Sequence, residues 1–112
     1  MEKVDKPWGS YQVLYETDYC KVKILTVNPQ SKLSYQSHKH RDEEWTVLKG
    51  NGRINLNGYD VPLSSSKIII QRGDKHRLIN DTDEELVVLE IQTGDYFGED
   101  DIIRFNDDYG RD

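Results

Sequence analysis

Apolar and polar residues alternate over short stretches of this chain, and residues that favour turns separate those stretches. Such alternation places successive side chains on opposite faces of a strand. We expect seven strands, at residues 9–15, 20–27, 43–48, 52–56, 67–71, 76–79 and 86–92. Asn57-Gly58 is the clearest hairpin signal between them. Short strands at this spacing are typical of an all-β sandwich or barrel.

Composition supports the same fold class. The chain has no alanine, the strongest helix former, but it has seventeen valine and isoleucine residues, which favour strands. Its 112 residues are close to the usual size of one domain. We expect a single domain with an edge segment at 1–19, a barrel core at 20–93 and a tail at 94–112 that packs on the barrel.

Charge and cysteine content exclude several kinds of partner and site. Fifteen basic residues against 21 acidic ones give a net charge of -6, which argues against nucleic-acid or anionic-membrane binding. No leader or apolar run long enough to cross a bilayer is visible, so a cytoplasmic protein is expected. The single cysteine, Cys20, excludes an internal disulfide and a four-cysteine metal site.

The three histidines of the chain, with one glutamate, suggest a metal site. In an extended segment His38 and His40 would share a face with Cα atoms about 6.6 Å apart. Glu43 opens the next predicted strand, and His76 opens a later one after a turn at Gly73. We expect all four side chains to hold one divalent ion, Zn, Mn, Co, Ni or Fe, with coordination positions left open for water or substrate.

These residues resemble the paired motifs of the cupin superfamily. The first motif is His-x-His followed by Glu43, six residues and Gly50, and the second runs from Gly73 through His76 to Asn80. Gln30 and Gln71 stand where the family usually has Gly and Pro. The resemblance implies a small antiparallel jelly roll, a double-stranded β-helix.

Blocks near both ends resemble one cupin family, the type II mannose-6-phosphate isomerase domain. They are KPWGSY at 6–11, GDYFGEDDIIRF at 94–105 and DYGR at 108–111. That domain commonly follows a mannose-1-phosphate guanylyltransferase domain in a bifunctional protein of nucleotide-sugar biosynthesis. The resemblance implies metal-dependent interconversion of mannose 6-phosphate and fructose 6-phosphate. Guanylyl transfer is not expected, because the nucleotide-binding partner domain is absent from these 112 residues.

Such a reaction needs further groups in the pocket. Candidate bases on inward faces are Lys23, Gln36, Lys67 and Glu90, and a metal-bound hydroxide is an alternative. Phosphate recognition favours Arg104 and Arg111, with Lys21 and Lys75 as weaker candidates. Arg104 could instead pair with Asp100 or Asp101. Trp45 shares the predicted face of Glu43 and forms either a pocket wall or plain core.

Two other functions remain open at this point. One is a non-catalytic cupin that binds a metal and a sugar phosphate, and the other is a metal-dependent dioxygenase using the same ligands. Small cupins often pair, so a homodimer is expected.

Overall fold

The computed structural model describes residues 2–63 and 67–106, and every regular element within them is a β-strand. The strands are β1 Lys3–Lys6, β2 Gly9–Glu16, β3 Cys20–Val27, β4 Ser31–Lys32, β5 Tyr35–Ser37, β6 Arg41–Lys49, β7 Gly52–Leu56, β8 Tyr59–Leu63, β9 Ile68–Ile70, β10 His76–Asn80, β11 Leu86–Gly94 and β12 Ile103–Asn106. The predicted all-β class is confirmed. The described chain contains no helix with the length and apolarity that a membrane crossing requires.

The strands form two antiparallel sheets. The first has the order β1-β2-β3-β11-β6-β9, and the second has the order β12-β5-β10-β7-β8, with β4 also paired to β10. β11 therefore lies between β3 and β6, which brings together strands that are far apart in sequence. The expected hairpin joins β7 to β8, where Asn57 and Gly58 adopt the positive φ angles of 51° and 90° that a tight hairpin turn needs.

One half of the inner face of the first sheet is apolar. Burial alternates along β3 and β11, so every second side chain points between the sheets. At this end Leu25 lies opposite Val88, and Val27 lies opposite Leu86. They belong to a core cluster that also includes Ile54 and Leu78 of the second sheet. Burying each such side chain contributes about 1.5–3 kcal/mol to folding.

The other half of the same inner face is polar. Along β11 the next inward residue after Val88 is Glu90, which lies opposite Lys23 on one side and Trp45 on the other. Gln92 then lies opposite Lys21 and Glu43. Charged side chains at interior positions are costly unless they are paired, so this end of the barrel is the candidate functional site.

Candidate functional site

Three of the four predicted metal ligands converge at the polar end of the barrel. His38, Glu43 and His76 are 4%, 3% and 2% exposed, and their ligand atoms all lie within 4.8 Å of one another. His38 Nε2 is 3.2 Å from Glu43 Oε2, and His76 Nε2 is 3.8 Å from Glu43 Oε1. β6 supplies the glutamate, the segment after β5 supplies His38, and β10 supplies His76.

The outer nitrogen of each imidazole faces a backbone carbonyl oxygen. His38 Nδ1 lies 2.6 Å from the carbonyl of Asp101, and His76 Nδ1 lies 3.0 Å from that of Asp74. A carbonyl oxygen can only accept, so Nδ1 donates in both rings, and in the neutral form of either ring Nε2 is left as a lone pair. Both lone pairs therefore face the Glu43 carboxylate. Fixing the ring through Nδ1 is the usual support of a metal-binding histidine.

Arg41 is a cation at the same centre that the sequence reasoning missed. Its Nε donates to Glu43 Oε2 over 2.9 Å, and its Nη2 lies 3.3 Å from His38 Nε2. The side chain is buried, and its Nη1 makes no hydrogen bond to any described residue. Alternation along β6 could have found it, because residues 41, 43 and 45 point to the same face.

The charges of the cluster shift the pKa values of its members. Burial acts to raise the pKa of Glu43, but the neighbouring His76, His38 and Arg41 outweigh it and lower that pKa. Burial lowers the pKa of His38, against the opposing effect of Glu43. The carboxylate is therefore ionised and His38 is neutral at neutral pH, which are the protonation states that a metal ligand requires.

A second carboxyl group, Glu90, adjoins the cluster. Trp45 Nε1 donates to Glu43 Oε1 and to Glu90 Oε2, each over 3.1 Å, and Gln92 Nε2 donates to Glu90 Oε1 over 2.7 Å. Burial, with the nearby negative charge of Glu43, raises the pKa of Glu90 to about 8. The two carboxyl groups thus share the indole N–H of Trp45. At neutral pH Glu43 is ionised and Glu90 holds its proton.

His40 does not join the cluster, so this part of the sequence prediction is wrong. Its side chain is 53% exposed, with Nδ1 3.6 Å from Asp95, and its ring packs against Tyr96. The prediction assumed an extended segment, whereas residues 39 and 40 form a bend. Asp101 holds that bend by accepting the backbone N–H groups of Lys39 and His40, each at 3.0 Å. Arg41, rather than His40, therefore points toward His38 and Glu43.

Most of the other predicted site residues line one pocket beside the cluster. The pocket contains Lys23, Gln36, Trp45, Glu90 and Arg104, together with Arg41, Glu43 and His76. Trp45 is 2% exposed, so it is both core and pocket wall. Their catalytic and binding roles stay predictions.

Three of the predicted base and phosphate residues, Lys67, Lys75 and Lys21, are absent from the described lining of this pocket. Lys67 is wrong as an inward base, because it is exposed and pairs with Glu44 on the outer face of β6. Arg111 lies outside the described residues. The weaker phosphate candidate Lys75 packs over the Phe105 ring, with Nζ 4.5 Å from the ring centroid, and is not part of the pocket lining.

The donor set fits a divalent metal ion. Two imidazole nitrogens and one carboxylate approach each other closely, and a bound cation would stabilise such a group of acceptors. Two histidines and one carboxylate bind borderline transition metals and leave coordination positions open. Arg41 now supplies the positive charge on one side of Glu43. Three of the four expected ligands, rather than all four, belong to this candidate site.

Sequence comparison identifies relatives over nearly the whole chain. Residues 1–107 match the family model described as mannose-6-phosphate isomerase C-terminal. A mannose-1-phosphate guanylyltransferase of Escherichia coli is 43% identical over 97% of this chain, and the alginate biosynthesis protein AlgA of Pseudomonas aeruginosa is 38% identical over 97%. The chain spans only 23% of the length of each of these relatives.

Solved structures share the fold. The capsular polysaccharide assembling protein CapF of Staphylococcus aureus superposes with a TM-score of 0.80 over 94% of this chain and 34% of its own, at 18% identity. A cupin-2 domain protein of Rhodospirillum rubrum gives a TM-score of 0.69 over 82% of this chain and 67% of its own, at 20% identity. The double-stranded β-helix fold is thereby confirmed.

The relatives correct the predicted function. We expected this chain to interconvert mannose 6-phosphate and fructose 6-phosphate, but the matching proteins are named for mannose-1-phosphate guanylyltransfer or for xanthan and alginate biosynthesis. The assignment of that interconversion to this chain is therefore wrong. What the comparisons do establish is a family of sugar-phosphate enzymes. With 107 of its 112 residues covered by the family model, the chain belongs to the mannose-6-phosphate isomerase C-terminal family of cupins.

Proposed function

We propose that this chain binds one divalent metal ion through His38, Glu43 and His76 and a sugar phosphate in the adjoining pocket. The observation that supports it is the pair of buried Nε2 lone pairs, 3.2 and 3.8 Å from the two oxygens of Glu43. A bound divalent ion would act as a Lewis acid that polarises a sugar oxygen. The chain would then be the metal-dependent part of a sugar-phosphate enzyme.

The pocket lining supports a polyhydroxylated, negatively charged ligand. Four basic side chains line it, Lys6, Lys23, Arg41 and Arg104, beside the amide of Gln36 and the hydroxyl of Ser34. The buried Nη1 of Arg41 is a hydrogen-bond donor directly beside the proposed metal ligands. Trp8 and Trp45 add apolar wall area of the kind that packs against a sugar ring.

Proton transfer on the bound sugar phosphate would need a group that accepts and returns a proton. Lys23, Gln36 and Glu90 remain candidates because they line the pocket, whereas Lys67 does not. Glu90 is held by two donors, Trp45 and Gln92, so its position is fixed. A homodimer stays a prediction, and a dioxygenase gains no support from the relatives.

The chain offers a matched set of histidine variants to test the metal site. His38→Ala and His76→Ala each remove one converging lone pair, whereas His40→Ala removes an exposed imidazole outside the cluster. Titration calorimetry with Zn²⁺ and Mn²⁺ should show one site in the wild type. We expect both cluster variants to lose at least about tenfold in affinity, and His40→Ala to stay within about twofold.

Sugar-phosphate binding is measured on the same proteins. A panel of hexose 1- and 6-phosphates, titrated with and without the metal ion, should show binding that strengthens when the ion is present. Absence of stoichiometric metal binding by the wild type would contradict the proposal. Equal losses in His40→Ala and His76→Ala would also contradict it, because only His76 lies in the cluster.

A further inference from the structure

Two lysines on the inner face of β3 lie at interior positions next to the pocket. Lys23 is 3% exposed and Lys21 is 8% exposed. A buried ammonium group costs several kcal/mol unless an anion accompanies it. Apolar residues would be better tolerated at both positions if the barrel needed only a core, as Leu25 and Val27 show further along the same strand face. The two charges therefore require a partner.

Glu99, from the loop between β11 and β12, is that partner. A single oxygen, Glu99 Oε2, lies 2.8 Å from Lys23 Nζ and 3.6 Å from Lys21 Nζ. Burial acts to raise the pKa of Glu99, but Lys23 and then Lys21 prevail and lower it, so the carboxylate is ionised. The Glu99 side chain is 49% exposed, whereas the Lys23 side chain is 4% exposed. The anion reaches the lysines from the solvent side.

One carboxylate only partly satisfies these two cations. Lys21 has further contacts to the Phe97 carbonyl at 3.3 Å and to Glu16 at 4.0 Å, the latter exposed. Lys23 Nζ lies 4.1 Å from the centre of the Tyr11 ring, which holds the ammonium from one side. A phosphate monoester brings about 1.5 to 2 negative charges and three acceptor oxygens, so it matches two ammonium groups better than one carboxylate oxygen does.

Lys23 and the metal cluster open into the same space, and Lys21 adjoins it through Glu99, whose Oε2 lies 3.6 Å from Lys21 Nζ. Lys23, Tyr11 and Glu99 line the pocket that also contains Glu43 and His76. A ligand whose reacting carbon lies beside the metal ligands would therefore place a distant charged group near the mouth, where Glu99 now lies. The pocket thus contains Lys23 together with Glu43 and His76 of the metal donor set, and Lys21 shares the Glu99 oxygen that pairs with Lys23.

We propose that Lys21 and Lys23 form the subsite for the phosphate group of the ligand, and that the Glu99 carboxylate occupies it until that phosphate displaces it. The inference deepens the proposed function, on which it rests, by assigning the phosphate to β3 rather than to the C-terminal arginines. Glu99 then sets affinity and selectivity, because a ligand must carry an anion stronger than a carboxylate to replace it.

Two substitutions test the subsite in opposite directions. Glu99→Gln removes the competing charge with little change of shape, and Lys23→Met removes the ammonium but keeps its apolar stem. Glu85→Gln and Lys49→Met are matched controls, because that pair is exposed and lies outside the pocket. Inorganic phosphate and a hexose 6-phosphate are titrated by calorimetry, first with a chelator present and then with saturating Mn²⁺.

We expect Glu99→Gln to bind both ligands at least about fivefold more tightly than the wild type, since the internal anion no longer competes. Lys23→Met should lose measurable binding of both, and the two controls should match the wild type. Unchanged or weaker phosphate binding by folded Glu99→Gln would overturn the subsite even if Lys23→Met fails to fold. If Glu99→Gln binds inorganic phosphate more tightly than the wild type but does not bind the hexose 6-phosphate more tightly, the assignment of the subsite to a sugar phosphate is overturned.

The Mn²⁺ titrations distinguish a failure of this inference from a failure of the proposed function on which it rests. Glu99→Gln should bind Mn²⁺ as the wild type does, because Glu99 contacts none of His38, Glu43 and His76 among the described interactions. If no protein binds the metal, the proposed function fails while the chelated titration still decides the subsite. If metal binding is normal but Glu99→Gln gains nothing, the subsite alone fails.

Discussion

Asp101→Asn should destabilise the protein and loosen the metal site together. In the wild type the two oxygens of the Asp101 carboxylate accept the backbone N–H groups of Lys39 and His40, both at 3.0 Å. The backbone carbonyl of the same residue accepts the Nδ1–H of His38 at 2.6 Å. One residue thus holds the bend before β6 and orients a proposed ligand. Asparagine keeps one acceptor oxygen, but it turns an NH₂ group toward the other backbone N–H.

The cost can be worked from these two bonds. A hydrogen bond to a charged group contributes about 1.5–3 kcal/mol, and an unsatisfied buried donor costs about 1–3 kcal/mol. Asp101 is 8% exposed, so water only partly replaces the lost acceptor. The substitution loses one charged bond and weakens the other to a neutral one, which gives about 2–3 kcal/mol. For a domain of this size that corresponds to a fall in Tm of about 8–12 °C.

Thermal unfolding followed by circular dichroism at pH 7 measures the change, and calorimetry with Zn²⁺ measures the site. We expect the affinity for the ion to fall by about tenfold, because the carbonyl that fixes His38 moves with the loop. Asp100→Asn is the matched control in the same loop, since that side chain is exposed and should change stability by less than about 0.5 kcal/mol. A Tm for Asp101→Asn within about 2 °C of the wild type would refute the argument.

Two further predictions concern stability alone. Asn80→Ala removes a buried amide that donates to the carbonyls of Val27, Asn28 and Glu84 and accepts from Thr82, so urea unfolding should show a loss of about 3–5 kcal/mol, against under about 1 kcal/mol for the half-buried Asn55→Ala, whose side chain bonds to Asp60 at the surface. The lowered pKa of Glu99 means that its pairing stabilises the fold above the unfolded-state pKa and loses this effect as pH falls through the folded-state pKa. Glu99→Gln should therefore be less stable than the wild type by about 1 kcal/mol at pH 7, with the difference shrinking as pH falls below the unfolded-state pKa and lost below the lowered folded-state pKa; a difference that stays constant with pH would contradict this.

The alternation of apolar and polar residues predicted the strands that are long and have one buried face. β3 and β7 begin and end at the expected residues, and β11 extends the expected stretch by two. The five strands missed were short or interrupted: β4 has two residues, β5 has three, β1 and β12 have four each, and β8 contains Pro62. Such segments are strands because neighbouring strands pair with them, and one sequence alone carries no signal for that pairing.

The candidate site likewise contains some residues that the local sequence pattern could predict and others that depend on contacts with distant parts of the chain. The same alternation that places Glu43 and Trp45 on one face also places Arg41 there, so that residue was within reach of the sequence. The exposure of His40 was not, because Asp101 makes the bend from a position 61 residues away. The pairing of Glu99 with Lys23 likewise joins residues 76 apart. Local periodicity cannot report contacts of that kind.

The two imidazoles are oriented by the path of the main chain rather than by other side chains. Carbonyl oxygens at residues 74 and 101 fix which nitrogen is protonated, and every amino acid supplies a carbonyl at its position. Substitutions in those two loops that leave the backbone in place, unlike Asp101→Asn, can thus change the charge of the loops while both rings keep the same tautomer. Related proteins that keep the backbone of these two loops should therefore keep the orientation of both imidazoles, even where the loop side chains differ.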